Sequence, residues 1–191
     1  MTVLVALDVD GVLNGFSKNP ALDGYAEIHD PANSRDLPIK WRKNLLERMR
    51  MILSRPDVTG AWLTTWLMAP AMLDELEHVL GLEGLLELRA PYLTVEMGWG
   101  KVPNPLLPAN VNSNTHSPNW WKFHAWEALL DLNNFQRGAW LDDDLGRAKG
   151  GPGNKYTPGE SFDRLLLRTN PQAGMLSGDL DKLESWLDRT E

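Results

Sequence analysis

Cysteine is absent from all 191 residues, which excludes disulfides, thiolate chemistry and cysteine-bound zinc. No apolar run approaches the ~20 residues of a membrane-spanning helix. The N-terminal residues lack the basic, apolar and cleavage regions of a secretory signal, so the expectation is a soluble cytoplasmic protein with no membrane partner. Positive charge is in deficit: 19 Lys and Arg stand against 26 Asp and Glu, a net charge of -7. That balance argues against a protein that wraps nucleic acid by bulk electrostatics, though it leaves room for a local basic face. Internal repeats and low-complexity tracts are also missing. The length suits one domain over residues 1–191 with a sizeable core and is short for two; composition leaves the oligomeric state open.

What is present begins with Val3-Leu4-Val5-Ala6-Leu7. Consecutive apolar residues cannot alternate between a wet and a dry face, so the segment reads as a central strand covered on both sides, as in a parallel α/β sheet. Asp8-Val9-Asp10-Gly11 follows at once. On an extended backbone the i, i+2 spacing points both carboxylates to one side, with Cα atoms roughly 6–7 Å apart, and Gly11 lets the chain turn away. Ligand crevices in open α/β sheets lie beyond the carboxyl ends of the strands. Like charges there repel, and leaving water raises the cost unless a cation or a shared proton neutralises them. Mg²⁺, which takes one or two carboxylates, waters and substrate phosphate oxygens, suits so sparse a site. One Asp can then attack phosphorus while the other, protonated, gives its proton to the leaving oxygen. An ordinary turn is the plainer reading of the same four residues.

A second acidic strand end comes late, where Ala139-Trp140-Leu141 runs into Asp142-Asp143-Asp144. Acids crowded there again call for a cation. About 130 residues separate them from Asp10, so the two ends share one sheet edge only if their strands are parallel neighbours. The expected fold is therefore α/β: three-layer and Rossmann-like, with a central parallel sheet and helices on both faces. Between the acidic ends, a strand from Val58 finishes in Thr64-Thr65-Trp66. Trp66 is expected either in the core or at the crevice rim, where an indole face can stack on a nucleobase or sugar. A helix with a Ser or Asn cap signal runs to about Leu132. Near its start stands Lys122, with no other lysine between Lys101 and Lys149.

Asp8-Val9-Asp10-Gly11-Val12-Leu13 resembles the first motif of the haloacid dehalogenase-like (HAD) phosphohydrolase superfamily, and the remaining motifs follow in order. The resemblance implies Asp8 as nucleophile, Asp10 as general acid and base, and Thr64, with Thr65 as fallback, as the phosphate-binding hydroxyl. It implies that Lys122 screens charge and that Mg²⁺ sits on Asp8, the Asp10 backbone carbonyl and Asp142, with Asp143 acting through water or Lys122. An Asp at position 10 resembles the phosphatase and phosphomutase branch. The Trp62-Leu63-Thr64-Thr65-Trp66 and Asn170-Pro171-Gln172-Ala173-Gly174-Met175-Leu176 stretches are also similar to small HAD domains of bacterial and bacteriophage RNA-repair (Swiss Army Knife) proteins. That closer likeness implies processing of nucleic-acid ends, such as removal of a terminal phosphate.

The rest of the chain frames this set. Residues 14–38 are turn-rich and read as a loop or short hairpin, long enough for a flap and too short for a cap domain. The next helix, near Trp41 to Ser54, has Leu45, Met49, Ile52 and Leu53 on one face. Its other face carries Arg42, Lys43, Arg48 and Arg50, with Arg35, Lys40 and Arg55 nearby, a solvated surface or a track for a polyanion. Pro70 to Leu80 reads as a helix, and Leu85 to Leu88 or Tyr92 to Glu96 as the third strand. Residues 97–121 read as a long active-site loop, with His116 on the surface. Arg147 to Lys155 is a basic, glycine-rich loop that either contacts a phosphodiester backbone or merely connects. Phe162 to Arg168 reads as a strand and Asp179 to Leu187 as the closing helix. With minimal or no cap the crevice is open, as a phosphorylated nucleic-acid end or nucleotide requires. A small-metabolite phosphatase is a second reading. A non-catalytic binding module, with Trp66, Trp120 and Trp121 as a partner surface, is the third.

Overall fold

β1 (Val3–Leu7) is buried at every position and lies between β4 (Val58–Trp62) and β8 (Arg137–Asp142), parallel to both. In the computed structural model the described residues are 2–17, 21–31, 33–97, 100–117, 119–147 and 158–189. The main sheet runs β5-β4-β1-β8-β10, all parallel, with β5 at Leu88–Arg89 and β10 at Arg164–Arg168. β9 (Gly159–Glu160) joins antiparallel at the β10 edge. Val3, Val5 and Leu7 share a core with α1 (Lys43–Leu53), α2 (Pro70–Leu80) and α4 (Ser177–Leu187), while Leu4 and Ala6 pack with α3 (Trp121–Leu132). Helices therefore cover both faces, the three-layer α/β arrangement that an unbroken apolar first strand demands.

The α3 side is held by aromatic packing. Trp140 on β8 stacks against Trp120 and Trp126 with ring centroids 5.9 and 5.8 Å away, and Phe123 meets it edge-on. Gly138 makes this closeness possible: a Cβ there would stand 2.6 Å from the Trp126 ring. Trp66, Trp120 and Trp121 are all buried, so they do not form the exposed partner surface that the binding-module reading required.

Residues 14–38 do contain a hairpin, longer than expected: β2 (Gly24–Asp30) pairs with β3 (Arg35–Trp41) in register from Gly24 opposite Trp41. Ile28, Ile39 and Trp41 bury into the main core, and the His29 amide donates to Glu75 of α2. The flap is thus tied down as part of the fold. A second hairpin, β6 (Thr94–Met97) with β7 (Gly100–Pro103), replaces the start of the expected long loop. It also assigns Tyr92 to Glu96 away from the main sheet, where β5 takes the edge. Among Gly100, Lys101, Val102 and Pro103 only Val102 favours a strand, so sequence alternation had nothing to mark.

On the basic face of α1, Arg48, Arg50 and the adjoining Arg55 are engaged within the fold. Arg48 is paired with Asp181 and Glu184 of α4 at 2.6 and 2.5 Å. Arg55 bonds Asp57 and Asp188, and Arg50 bonds Glu47 and the Leu80 carbonyl. Arg48 and Arg55 thereby reach carboxylates more than a hundred residues distant in sequence, while Arg50 ties α1 to the end of α2. The glycine-rich basic stretch from Ala148 to Lys155 lies outside the described residues. Among the described residues no helix is long and apolar enough to cross a membrane.

Candidate active site

Strand register builds the site. Leu7 lies opposite Trp62 on one side and Leu141 on the other, so the next residues, Asp8, Leu63 and Asp142, leave the sheet together at its carboxyl edge. The ladder extends one step further: the Asp8 amide donates to the Leu141 carbonyl and the Leu63 amide to the Leu7 carbonyl, at 3.1 and 2.9 Å. Asp8 and Asp142, far apart along the chain, thereby become neighbours.

Lys122 enters from the first turn of α3, only 2 % exposed. Its Nζ donates to Asp8 Oδ2 at 2.5 Å and to Asp142 Oδ2 at 2.7 Å. Burial alone would lower the proton affinity of this ammonium. The Asp142 and Asp8 carboxylates outweigh burial, so the net shift is upward and Lys122 stays charged. Asp143 completes a cluster in which carboxylate oxygens of Asp8, Asp142 and Asp143 lie within 4.8 Å of one another. Burial pushes Asp142 up in proton affinity. Burial, with Asp144 and Asp8 close by, pushes Asp143 up to about 6. Two of the three buried carboxylates thus share the buried Lys122 ammonium, and the third, Asp143, stands beside them.

The turn around the cluster is built for close approach. Gly11 has φ +72°, and a Cβ on it would fall 2.5 Å from Asp143 Cγ, so no other residue fits between the two acidic loops. Thr169, just past β10, ties these loops together: its hydroxyl donates to the Gly11 carbonyl at 2.6 Å and its amide to the Asp142 carbonyl at 3.3 Å. The Arg147 guanidinium faces Asp143 and Asp144 at 3.4 and 2.6 Å.

Asp10 stands beside this cluster with its own partners. Trp66 Nε1 donates to its Oδ2 at 3.0 Å and Asn14 Nδ2 to its Oδ1 at 2.9 Å. Burial raises its proton affinity, and the two donors pull the other way without reversing the shift. The Asp10 carboxylate is outside the three-acid cluster. Trp66, 8 % exposed, is therefore a hydrogen-bond donor in the wall, not the open stacking ring of the rim reading. Asn14 also accepts from the Lys40 amide at 3.0 Å, so the β2–β3 hairpin helps fix Asp10. Neither partnership has a sequence signal beyond the i+4 spacing of Asn14.

The two threonines divide. Thr64 is 0 % exposed and caps the short 3₁₀ turn Thr65–Met68 by accepting from the Trp66 amide. Thr65 lines the open cleft of about 460 Å³ that also contains Asp8, Asp10, Lys122 and Asp143. His116, expected on the surface, is exposed and bonds the Arg147 carbonyl.

The family model of the HAD domain in Swiss Army Knife RNA repair proteins matches residues 4–180, from β1 into α4 and across every residue of this site. The chain belongs to that family. It matches no curated protein and no solved structure. Membership of the HAD domain family points to phosphatase-type activity, and the donor set of this HAD domain fits Mg²⁺. Asp8, Asp142 and Asp143 offer hard oxygen ligands only, held close together, with more negative charge than Lys122 offsets.

Proposed function

We propose that this HAD domain is a Mg²⁺-dependent phosphatase working through an aspartyl-phosphate on Asp8, its open cleft receiving the terminal phosphate of a nucleic acid or a nucleotide. The convergence of Asp8, Asp142, Asp143 and Lys122 at one sheet edge carries this reading. An Asp8 carboxylate oxygen attacks phosphorus and the ester P–O bond breaks. Asp10, protonated and oriented by Trp66 and Asn14, gives its proton to the departing alkoxide. Asp10, now a carboxylate, takes a proton from water, whose oxygen attacks the same phosphorus. The acyl P–O bond breaks, releasing inorganic phosphate and regenerating Asp8. Lys122 holds the Asp8 carboxylate in place and offsets charge on the transferring group, and Thr65 supplies a hydroxyl to the phosphate while Thr64 sets the turn. Mg²⁺, held by Asp8, Asp142 and Asp143 with the Asp10 backbone carbonyl, would neutralise phosphoryl charge.

A panel of terminally phosphorylated oligonucleotides, mononucleotides and sugar phosphates tests the reading. Phosphate release with Mg²⁺ and none with EDTA is expected; no release from any substrate with Mg²⁺ would overturn it. A lead for sugar phosphates over every nucleotide would move the assignment to the small-metabolite reading.

Two effects follow from the geometry. Trp66→Phe keeps an aromatic ring, though a smaller one, and removes the N–H that orients Asp10. Its kcat/KM should fall about ten-fold on an alkyl phosphate, whose leaving group needs a proton, and far less on p-nitrophenyl phosphate, whose leaving group does not. Equal losses on both would contradict an acid-positioning role.

The second concerns pH. A carboxylate whose proton affinity is raised by folding stabilises the fold while protonated, below the ordinary carboxylate range of about 4, and loses that stabilisation as pH rises. For Asp143 the loss is complete above about 6. Mg²⁺ competes with those protons, so the increase in Tm on adding Mg²⁺ should be larger at neutral pH than in mild acid. Asp143→Asn should flatten that dependence; a Mg²⁺ increment independent of pH would contradict it.

A further inference from the structure

Phe16 is the large apolar side chain that the cleft leaves open. Residues 11–15 are buried, and the chain then presents Phe16 with 53 % of its surface exposed on the wall shared with Asp8 and Asp10. The backbone that carries the ring is tied to two other segments of the chain. The Gly15 amide donates to the Lys40 carbonyl, the Phe16 amide to the Pro171 carbonyl and the Ser17 amide to the Gln172 carbonyl, at 2.8, 3.1 and 3.0 Å. Gly15 is wedged so tightly that a Cβ would stand 2.9 Å from Leu22 and 3.1 Å from the Ala173 backbone. A ring fixed in water at the mouth of a reaction cleft is set to be covered by what the cleft binds.

We propose that Phe16 is the stacking platform for the nucleobase of the phosphorylated nucleoside, which makes it the residue that selects nucleotides over other phosphate esters. This rests on the phosphatase reading. A monoester with its phosphorus at Asp8 must lay its alcohol portion along the same cleft, where Phe16 and Pro171 offer flat apolar surface and Ser113, Thr115 and Gln172 offer hydroxyl and amide groups. A planar ring with apolar faces and a polar edge matches both kinds of wall at once. A sugar or short acyl chain uses only the polar ones. Because every base has a π-face, the platform tolerates any base.

The test compares wild type, Phe16→Ala and Phe16→Tyr on a nucleoside monophosphate, a terminally phosphorylated dinucleotide and ribose phosphate, all with Mg²⁺. Phe16→Ala should lose about ten-fold or more in kcat/KM on both nucleotide substrates, mainly through KM, and change little on ribose phosphate. Phe16→Tyr should restore the nucleotide values, which separates stacking from a folding defect. An equal loss on ribose phosphate, or no loss on any substrate, overturns the proposal while wild-type turnover leaves the phosphatase reading standing. Absence of wild-type turnover on all three would instead remove the reading beneath it.

Discussion

Asp8→Asn is expected to abolish turnover, lowering kcat by at least about 10³-fold, while the fold keeps its stability or gains some. The reasoning joins two roles of one carboxylate. As the proposed nucleophile, Asp8 has no substitute: an amide oxygen cannot form the aspartyl-phosphate, and Asp10, bonded to Trp66 and Asn14, is assigned to proton transfer. As a structural charge, Asp8 is surplus. Lys122 retains Asp142 at 2.7 Å, and the substitution removes one negative charge from a crowd of three buried carboxylates. Steady-state phosphate release and a thermal melt in EDTA at neutral pH check both halves. A variant that unfolds would say that the Lys122 contact to Asp8 matters more than the repulsion it offsets. A variant that turns over at the wild-type rate would remove Asp8 from the chemistry.

Lys122→Met has the opposite profile and is expected to damage fold and activity together. Among the described residues the Lys122 ammonium is the one cation bonded to both Asp8 and Asp142, and all three groups are buried. Removing one partner of a buried ion pair leaves uncompensated charge and costs about 3–5 kcal/mol, measurable by urea denaturation in EDTA. Two conditions should soften that loss. Mild acid lets Asp142 and Asp143, whose proton affinities burial raises, take up protons, and Mg²⁺ supplies the missing positive charge, so the penalty should shrink in both. Even with Mg²⁺ and a restored fold, kcat should stay down by about 10²–10³, the usual cost of deleting a preorganised charge donor. A fold equally stable with methionine at this position would show that Asp8 and Asp142 are neutralised by something other than Lys122.

The parts legible in the sequence are those where local pattern and tertiary position carry the same information. An apolar run that ends in acids marks both a buried strand and the edge where it emerges, so Asp8, Asp142 and Asp143 declare themselves twice. Lys122 stands out through its rarity near a helix start. Contacts made across the sheet leave no such trace. Trp66 looks like any strand-end aromatic until the 3₁₀ turn swings its N–H onto Asp10. Arg48 and Arg55 look like part of a polyanion track because their partners, Asp181, Glu184 and Asp188, lie on or just after α4 at the other end of the chain. Thr64 and Thr65 are chemically alike, and which one faces the cleft is decided by the backbone after Leu63. The β6–β7 hairpin is half legible: β6 alternates as Thr94-Val95-Glu96-Met97 and reads as a candidate for the third strand, whereas β7 carries no alternation, and β5, only two residues long, reads as no more than the other candidate.

The most direct test of the central claim is to trap the covalent intermediate. The protein is mixed with Mg²⁺ and a terminally phosphorylated oligonucleotide, quenched in acid and reduced with borohydride, and the position converted from aspartate to homoserine is located by peptide mass spectrometry. Conversion of Asp8 alone, dependent on both Mg²⁺ and substrate, is the predicted result. Phosphate release with no acyl-phosphate, or with conversion at Asp10, Asp142 or Asp143 in place of Asp8, would contradict it.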